Sequence, residues 1–239
     1  MGSTRRIAIT TGVLFIIATA ASLVGAALLP ALDGTEYLTG LATQETQVIA
    51  SALAYLIAAF ASVGIAISLY PLIRRSAQGL ALGAVVFRAL EATMYMVGVV
   101  CILSLLAIGQ RLTTTEAAGR AALQGIGDTL VSVHDSSAVL GVFAFSAGAF
   151  MYYYIFFFRS RLIPRWLSGW GILGIVLMLV ACVLAVVSGN PVTSYVPLAA
   201  PIGVQELVFA VWLLIKGFSR GDSDRAGSAL QEDALAARV

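Results

Sequence analysis

The sequence predicts an all-α polytopic membrane protein, a bundle of six transmembrane helices with both termini in the cytoplasm. Of its 239 residues, 60% are hydrophobic and 11% are charged, and the mean hydropathy is +0.97. Soluble domains carry about 25% charged residues, so a soluble fold of this length could not cover so much apolar surface. The apolar segments do not alternate in character, which disfavours a β-barrel.

Six apolar segments are long enough to cross a bilayer, which takes about 20 residues. They lie near residues 7–30, 47–72, 80–109, 129–158, 167–188 and 196–217. We therefore predict one transmembrane domain over residues 1–218. Residues 219–239 are polar and rich in small side chains, which predicts a disordered cytoplasmic tail.

The basic residues are distributed unequally between the two sets of loops. The opposite loops contain only Arg111 and Arg120, and the first of them is acidic. Because Lys and Arg remain on the cytoplasmic side, this asymmetry predicts cytoplasmic termini and a multi-pass protein of the cell (inner) membrane. The predicted cytoplasmic set is Arg5, Arg6, Arg74, Arg75, Arg159, Arg161, Arg165, Lys216 and Arg220.

An aromatic run, "MYYYIFFF" at 151–158, closes the fourth span just before Arg159. Tyr and Trp favour the membrane–water interface because their rings have one polar end. The run therefore predicts an interfacial belt, with stacking surfaces for a ligand as the alternative.

Five ionisable side chains fall inside the predicted spans: Arg88, Glu91, His134, Asp135 and Glu206. A charged group at the centre of a membrane helix costs at least ~2.5–3.5 kcal/mol on insertion scales. We therefore expect these groups to face inward and to pair. Intramembrane ionisable residues mark functional sites by default, although a purely structural polar network is the competing interpretation.

Spacing predicts which of these groups meet. Arg88 and Glu91 are three residues apart and share a helix face, which Tyr95 extends by one turn. Glu206, preceded by Gln205, reaches a similar depth from the opposite side of the membrane. We predict Arg88 as the centre of the network, with Glu91 or Glu206 as its counter-ion, because arginine does not lose its proton.

The predicted cluster has one positive group and three carboxylates, with a neutral histidine. An excess of negative charge in a low-dielectric site must be offset by a protonated carboxyl, a protonated His134 or a bound cation. The sequence does not choose among the three. Because consecutive helical residues point about 100° apart, His134 and Asp135 are predicted not to face each other.

The sequence predicts no catalytic residues, metal site or cofactor. It holds one histidine and lacks HExxH, GxSxG and Walker motifs, and Cys101 and Cys182 lack metal-binding spacing. The net charge of +2 gives no indication of a nucleic-acid partner. An intramembrane enzyme would need a substrate-sized pocket with His134 beside a nucleophile.

Four stretches together resemble a bacterial six-span membrane family known as domain of unknown function 4386. They are "RRIAITTGVLFIIATAAS", "FRALE", "SRLIPRWLSGWGILG" and "PIGVQELVFAVWLLIKGF", and the resemblance covers residues 5 to 218. It implies that Arg88, Glu91, Gln205 and Glu206 belong to a shared site or scaffold, and it matches His134 and Asp135 to an acidic position. The function of the family is not established, so the resemblance implies architecture only.

Two functions follow as hypotheses. The first is binding or movement of a small solute or ion, with possible coupling to protons, through Arg88, Glu91, Tyr95, His134, Asp135, Gln205 and Glu206. The second is a non-transporting scaffold or sensor that binds a partner protein or lipid, its basic loops engaging anionic headgroups. Apart from the bilayer, no partner or oligomeric state is predicted. A water-accessible cavity reaching Glu206 would favour the first hypothesis, and a dry core the second.

Overall fold

The computed structural model describes residues 2–219, apart from the side chains of residues 117 and 118, and this part contains helices and no strands. The predicted tail, from residue 220 onward, lies outside the described residues. Residues 2–219 form seven α-helices in order: α1 Ser3–Leu28, α2 Tyr37–Thr43, α3 Glu45–Ile73, α4 Gln78–Leu112, α5 Ala117–Tyr154, α6 Arg165–Ser188 and α7 Val196–Ile215. A π-helical turn, Ile155–Ser160, extends α5, and a 3₁₀ turn, Val192–Tyr195, precedes α7.

Six of these helical stretches are long and apolar enough to cross a membrane, as predicted. The short helix α2 was not predicted. Helix α5 also begins twelve residues before the predicted fourth span, because the segment "AAGRAALQGIGD" is rich in good helix formers although it is too polar to count as apolar.

The six long helices form a ring. Each packs against its neighbours in the chain, and α1 closes the ring by packing against α7. The short helix α2 lies against α4, where Gly109 directly faces the Leu38 carbonyl and a side chain would keep the two helices apart. Tyr37 of α2 donates a hydrogen bond to Asp128 of α5 over 2.9 Å. Burial, and then the Asp128 carboxylate, raises the pKa of the Tyr37 hydroxyl, which keeps it protonated as the donor.

One end of the ring, which we call the closed end, carries both ends of the described chain. Arg5 donates hydrogen bonds to the carbonyls of Leu213 and Leu214 in the last turn of α7, where the helix dipole favours a cation. Aromatic side chains fill the space between the helices on this side: Phe15, Tyr152, Tyr153, Phe156 and Phe209, all fully buried.

The opposite end, which we call the open end, carries the α1–α2, α4–α5 and α6–α7 connections. A second apolar core lies here between α2, α3 and α4 and includes Leu38, Leu41, Val48 and Leu105. It braces one side of the ring and leaves the middle unfilled. The two ends therefore differ in kind: the closed end is packed across its centre, and the open end is packed along its wall.

Candidate functional site

The charged residues of separate helices meet near the middle of the ring. Arg88 of α4 is 2% exposed and lies between Glu91, one turn further along the same helix, and Glu206 of α7. Its Nη1 lies 3.0 Å from Glu91 Oε2, and its Nη2 lies 3.4 Å from Glu206 Oε1. Since α4 and α7 are not neighbours in the ring, the contact with Glu206 crosses the centre of the bundle.

Three neutral side chains complete the surroundings of the guanidinium. Nη1 donates to Ser62 Oγ over 2.9 Å, and Ser62 in turn donates to Glu91 Oε2 over 2.7 Å. Nη2 donates to the Tyr152 hydroxyl over 2.6 Å. The guanidinium carbon lies 4.5 Å from the centre of the Phe145 ring, close enough for a cation–π interaction. Helices α3, α4, α5 and α7 are thereby tied to one cation.

A cavity of about 900 Å³ opens above this cluster. All six long helices line it, from Asp33 and Pro191 at the open end to Arg88 and Glu206 at its floor. The predicted site residues Glu91, Tyr95, His134 and Asp135 also line it. The five large aromatic residues of the closed end do not, so the cavity ends where the aromatic packing begins.

The two acids of the cluster differ in their access to this cavity. The Glu91 side chain is 4% exposed and accepts hydrogen bonds from both Ser62 and Arg88. The Glu206 side chain is 12% exposed, and its one hydrogen bond given by the described residues is the long contact with Arg88. Glu91 is thus the closer and more fully bonded counter-ion of Arg88, whereas Glu206 is the more exposed of the two acids.

A family model described as Domain of unknown function (DUF4386) matches residues 10–217. The chain belongs to the DUF4386 family. The match includes α1 from residue 10 onward and the other five long helices in full, with Arg88, Glu91 and Glu206. No curated protein and no solved structure matches this DUF4386 chain.

His134 and Asp135 are a correction to the prediction from helical geometry. Their side chains do meet, with His134 Nδ1 3.2 Å from Asp135 Oδ1. The two side chains rotate toward each other, although consecutive residues of a helix point about 100° apart at the backbone. They sit higher in the cavity of this DUF4386 protein than Glu206, and the Asp135 side chain remains 41% exposed.

Gln205 also differs from its predicted role as a ligand candidate. It is fully buried and absent from the cavity lining. Its Oε1 accepts a hydrogen bond from Tyr153 over 2.7 Å, and its Nε2 donates to the Leu167 carbonyl over 3.0 Å. Gln205 therefore holds α7 against α5 and α6 and fixes the direction of the neighbouring Glu206.

The aromatic run at 151–158 departs most from its prediction as an interfacial belt. Phe158, at 57% exposure, suits an interfacial belt, but Tyr152, Tyr153 and Phe156 are fully buried, and two of these bind Arg88 and Gln205. The signal that could have found them is the helical face Gly141–Phe145–Gly148–Tyr152, which continues the small-residue face into the run. Gly148 lets α5 approach α4 at this level, since a Cβ there would lie 3.3 Å from Arg88 Cγ.

Tyr153→Phe is expected to lower the free energy of unfolding by about 1–3 kcal/mol, because it leaves the buried Gln205 oxygen without a donor. Tyr154→Phe removes the same hydroxyl group at a neighbouring, partly exposed position, and it is expected to change the free energy of unfolding little. Denaturant unfolding of the purified protein in detergent measures both variants. Equal midpoints for the two would contradict the assignment of Tyr153 to the buried pair.

Proposed function

We propose that this integral membrane protein binds a small solute or ion in its central cavity and moves it across the cell (inner) membrane, with coupling to protons. The observation that carries the proposal is a cavity that reaches from one end of the ring to a carboxylate, Glu206, near its middle. Membrane proteins that move solutes place their binding groups near the bilayer midplane, often with ionisable residues facing a water-filled space.

The charge of the lining favours a positively charged cargo or a proton. The basic side chains that line the cavity are Arg88 and His134. The acidic side chains that line it are Glu91, Glu206, Asp135 and Asp33. Glu91 already neutralises Arg88 at 3.0 Å. Glu206 therefore lacks a full counter-charge in a largely enclosed site, and a proton or a cation supplies it.

The basic residues support a direction for the cavity. Arg5, Arg159 and Arg165 belong to the closed end, where both ends of the described chain lie. Under the positive-inside rule, that end faces the cytoplasm and the cavity opens to the other side. The cavity is then in a state that admits cargo from outside, and release on the cytoplasmic side requires the aromatic packing around Tyr152 and Phe209 to separate.

A non-transporting scaffold or sensor is the second candidate function. Its support is the network of Arg88, Glu91 and Ser62, because buried hydrogen bonds of this kind fix the positions of helices relative to one another. A scaffold has no need for the cavity above this network, however, or for an acid left with one long hydrogen bond. We assign the structural role to Arg88 and Glu91 and the binding role to Glu206.

Reconstitution into liposomes tests the proposal. With an imposed pH gradient, an internal pH dye is expected to report proton movement that depends on the protein and changes when Na⁺, K⁺ or organic cations are added outside. Protein-free liposomes and liposomes containing heat-inactivated protein are the controls. If proton movement, ion movement and ligand binding all match these controls between pH 5 and 9, the proposal is wrong and the scaffold stands.

A further inference from the structure

The cavity is much larger than an inorganic ion requires. At about 30 Å³ per water molecule, an ion with six waters occupies roughly 200 Å³. The cavity measures about 900 Å³, and most of its lining is apolar. Sites for drug-sized organic molecules have volumes of about 300–1,000 Å³ and mainly apolar walls with few polar groups.

The acids in the cavity are also unsuited to a metal ion. Residues 2–219 contain no group of three His, Cys, Asp or Glu side chains close enough to hold a metal. Glu206 lies at the floor, and Asp135 pairs with His134 higher up. Separate single acids suit a ligand with one charged group, because each can make one ion pair without a shared coordination sphere.

An anionic ligand fits the site poorly. Arg88 is 2% exposed, and both of its terminal nitrogens already bind Glu91, Ser62, Tyr152 or Glu206. An anion would have to displace a carboxylate from the guanidinium while remaining near the other acids. The accessible charged atoms of the cavity are carboxylate oxygens, which attract cations.

Aromatic rings form one wall of the cavity between its rim and its floor. Tyr55 of α3 and Tyr95 of α4 stack with their ring centres 6.1 Å apart, and both line the cavity. Phe145 of α5 lines it beside Arg88. Flat aromatic faces bind organic cations through their electron-rich surfaces as well as by apolar contact.

We propose that the ligand class of this cavity is the lipophilic organic cation, with its charge paired to Glu206 and its apolar body against Tyr55, Tyr95 and Phe145. This inference rests on the proposed function and specifies its cargo. Neutralisation of Glu206 by the cation replaces neutralisation by a proton, so the two compete for one carboxylate. The other ionisable groups facing Glu206 are Arg88 and Glu91 of α4 and Tyr152 and Tyr153 of α5, with His134 and Asp135 of α5 higher in the cavity.

Tetraphenylphosphonium and tetraphenylborate test this inference, because they have nearly the same shape and opposite charge. Equilibrium dialysis against the full chain in detergent, with detergent alone as the blank, is expected to give saturable binding of the phosphonium and none of the borate. Below the pH at which Glu206 takes up its proton, the dissociation constant of the phosphonium should rise about tenfold per pH unit, since one proton competes with one cation.

Variants locate the site. Glu206→Gln is expected to weaken phosphonium binding at least tenfold and to remove its pH dependence, while Glu206→Asp retains both in part. Glu45→Gln makes the same chemical change on an exposed residue outside the cavity and should leave binding unchanged. Tyr95→Leu should weaken binding several-fold without altering the pH dependence, because it removes an aromatic face and no charge.

The outcomes separate this inference from the proposed function. Equal binding of phosphonium and borate by the unaltered protein, or full affinity in a folded Glu206→Gln variant, overturns the organic-cation assignment. If the protein moves protons, Na⁺ or K⁺ but does not bind the phosphonium, the proposed function stands and this inference falls. Failure of both kinds of measurement removes both.

Discussion

Arg88→Ala is expected to lower the free energy of unfolding by about 3–5 kcal/mol, the usual cost of removing one partner of a buried ion pair. Glu91, whose side chain is 4% exposed in the unaltered protein, would be left without a cation, and Ser62 and Tyr152 would lose their shared partner. Arg88→Lys is expected to recover only part of this, because one ammonium cannot serve Glu91 and Ser62 on one side and Tyr152 on the other. Denaturant unfolding in detergent or lipid discs measures the change.

Two comparisons isolate the buried charge as the cause. Arg120→Ala removes an exposed arginine and should change the free energy of unfolding by less than about 0.5 kcal/mol. The double variant Arg88→Met with Glu91→Gln removes both charges and should be more stable than Arg88→Ala. If Arg88→Ala unfolds at the same midpoint as the unaltered protein, the guanidinium does not organise the bundle.

Glu206→Gln is expected to weaken ligand binding strongly and to abolish proton movement while leaving the fold intact. Loss of the incompletely neutralised acid at the floor of the cavity removes an ion pair with the ligand of about 3 kcal/mol, which corresponds to a loss of roughly 100-fold in affinity. Arg88 keeps Glu91, Ser62 and Tyr152, and the amide oxygen of glutamine can still accept its hydrogen bond. Binding and unfolding measured on the same preparation separate the two effects.

Glu91→Gln is the matched control, since it makes the same substitution on the other acid of the cluster. Glu91 is the closer partner of Arg88 and accepts from Ser62 as well, so its loss should reduce stability more than Glu206→Gln does. A Glu206→Gln variant that binds and moves protons normally, or that loses as much stability as Glu91→Gln, would place Glu206 in the scaffold.

The position of the charged cluster could be predicted from the sequence because charge in a membrane is so costly. Arg88 and Glu91 share a helix face by spacing alone, and Glu206 has to find a cation at its own depth. Because an unpaired charge in the membrane is so costly, only a few side chains remain as partners for each charged residue. Ser62 could not be assigned to the cluster in this way, because the hydroxyl of a serine in a membrane helix can donate its hydrogen bond to a backbone carbonyl of the same helix.

The aromatic contribution could not be predicted in the same way. A run of aromatic residues before a basic loop is compatible with a membrane boundary and with a bundle core. The face of small residues that leads to Tyr152 favours the core, but the direction of each side chain decides between the two. That direction depends on the approach of α5 to α4 at Gly148, a property of packing between helices. The cavity is likewise a product of ring closure by α1 and α7, which no local pattern encodes.

The ends of the helices were predicted less well than their number. The apolar segments predicted the number of spans correctly, but α4 and α5 both continue past them through residues with good helix propensity. The bilayer limits the apolar part of a helix and not its length. The pairing of His134 with Asp135 departs from prediction for a similar reason, because backbone geometry does not limit where flexible side chains reach.

Accessibility of a cysteine at position 203 tests the central claim most directly, namely that a cavity open at one end alone reaches the level of Glu206. Gly203 lines the cavity one turn from Glu206, and a Cβ built there meets nothing within 4 Å. Cys101 and Cys182 are buried and would be replaced by alanine as background. Ser146→Cys, at a position 1% exposed and outside the cavity, is the control.

A charged, membrane-impermeant thiol reagent is applied separately to each side of oriented membranes. Gly203→Cys is expected to react rapidly from the side of the α1–α2 connection and not from the side of the chain ends, and Ser146→Cys from neither. Reaction of Gly203→Cys from the side of the chain ends alone, or no reaction from either side in the folded protein, would contradict the account.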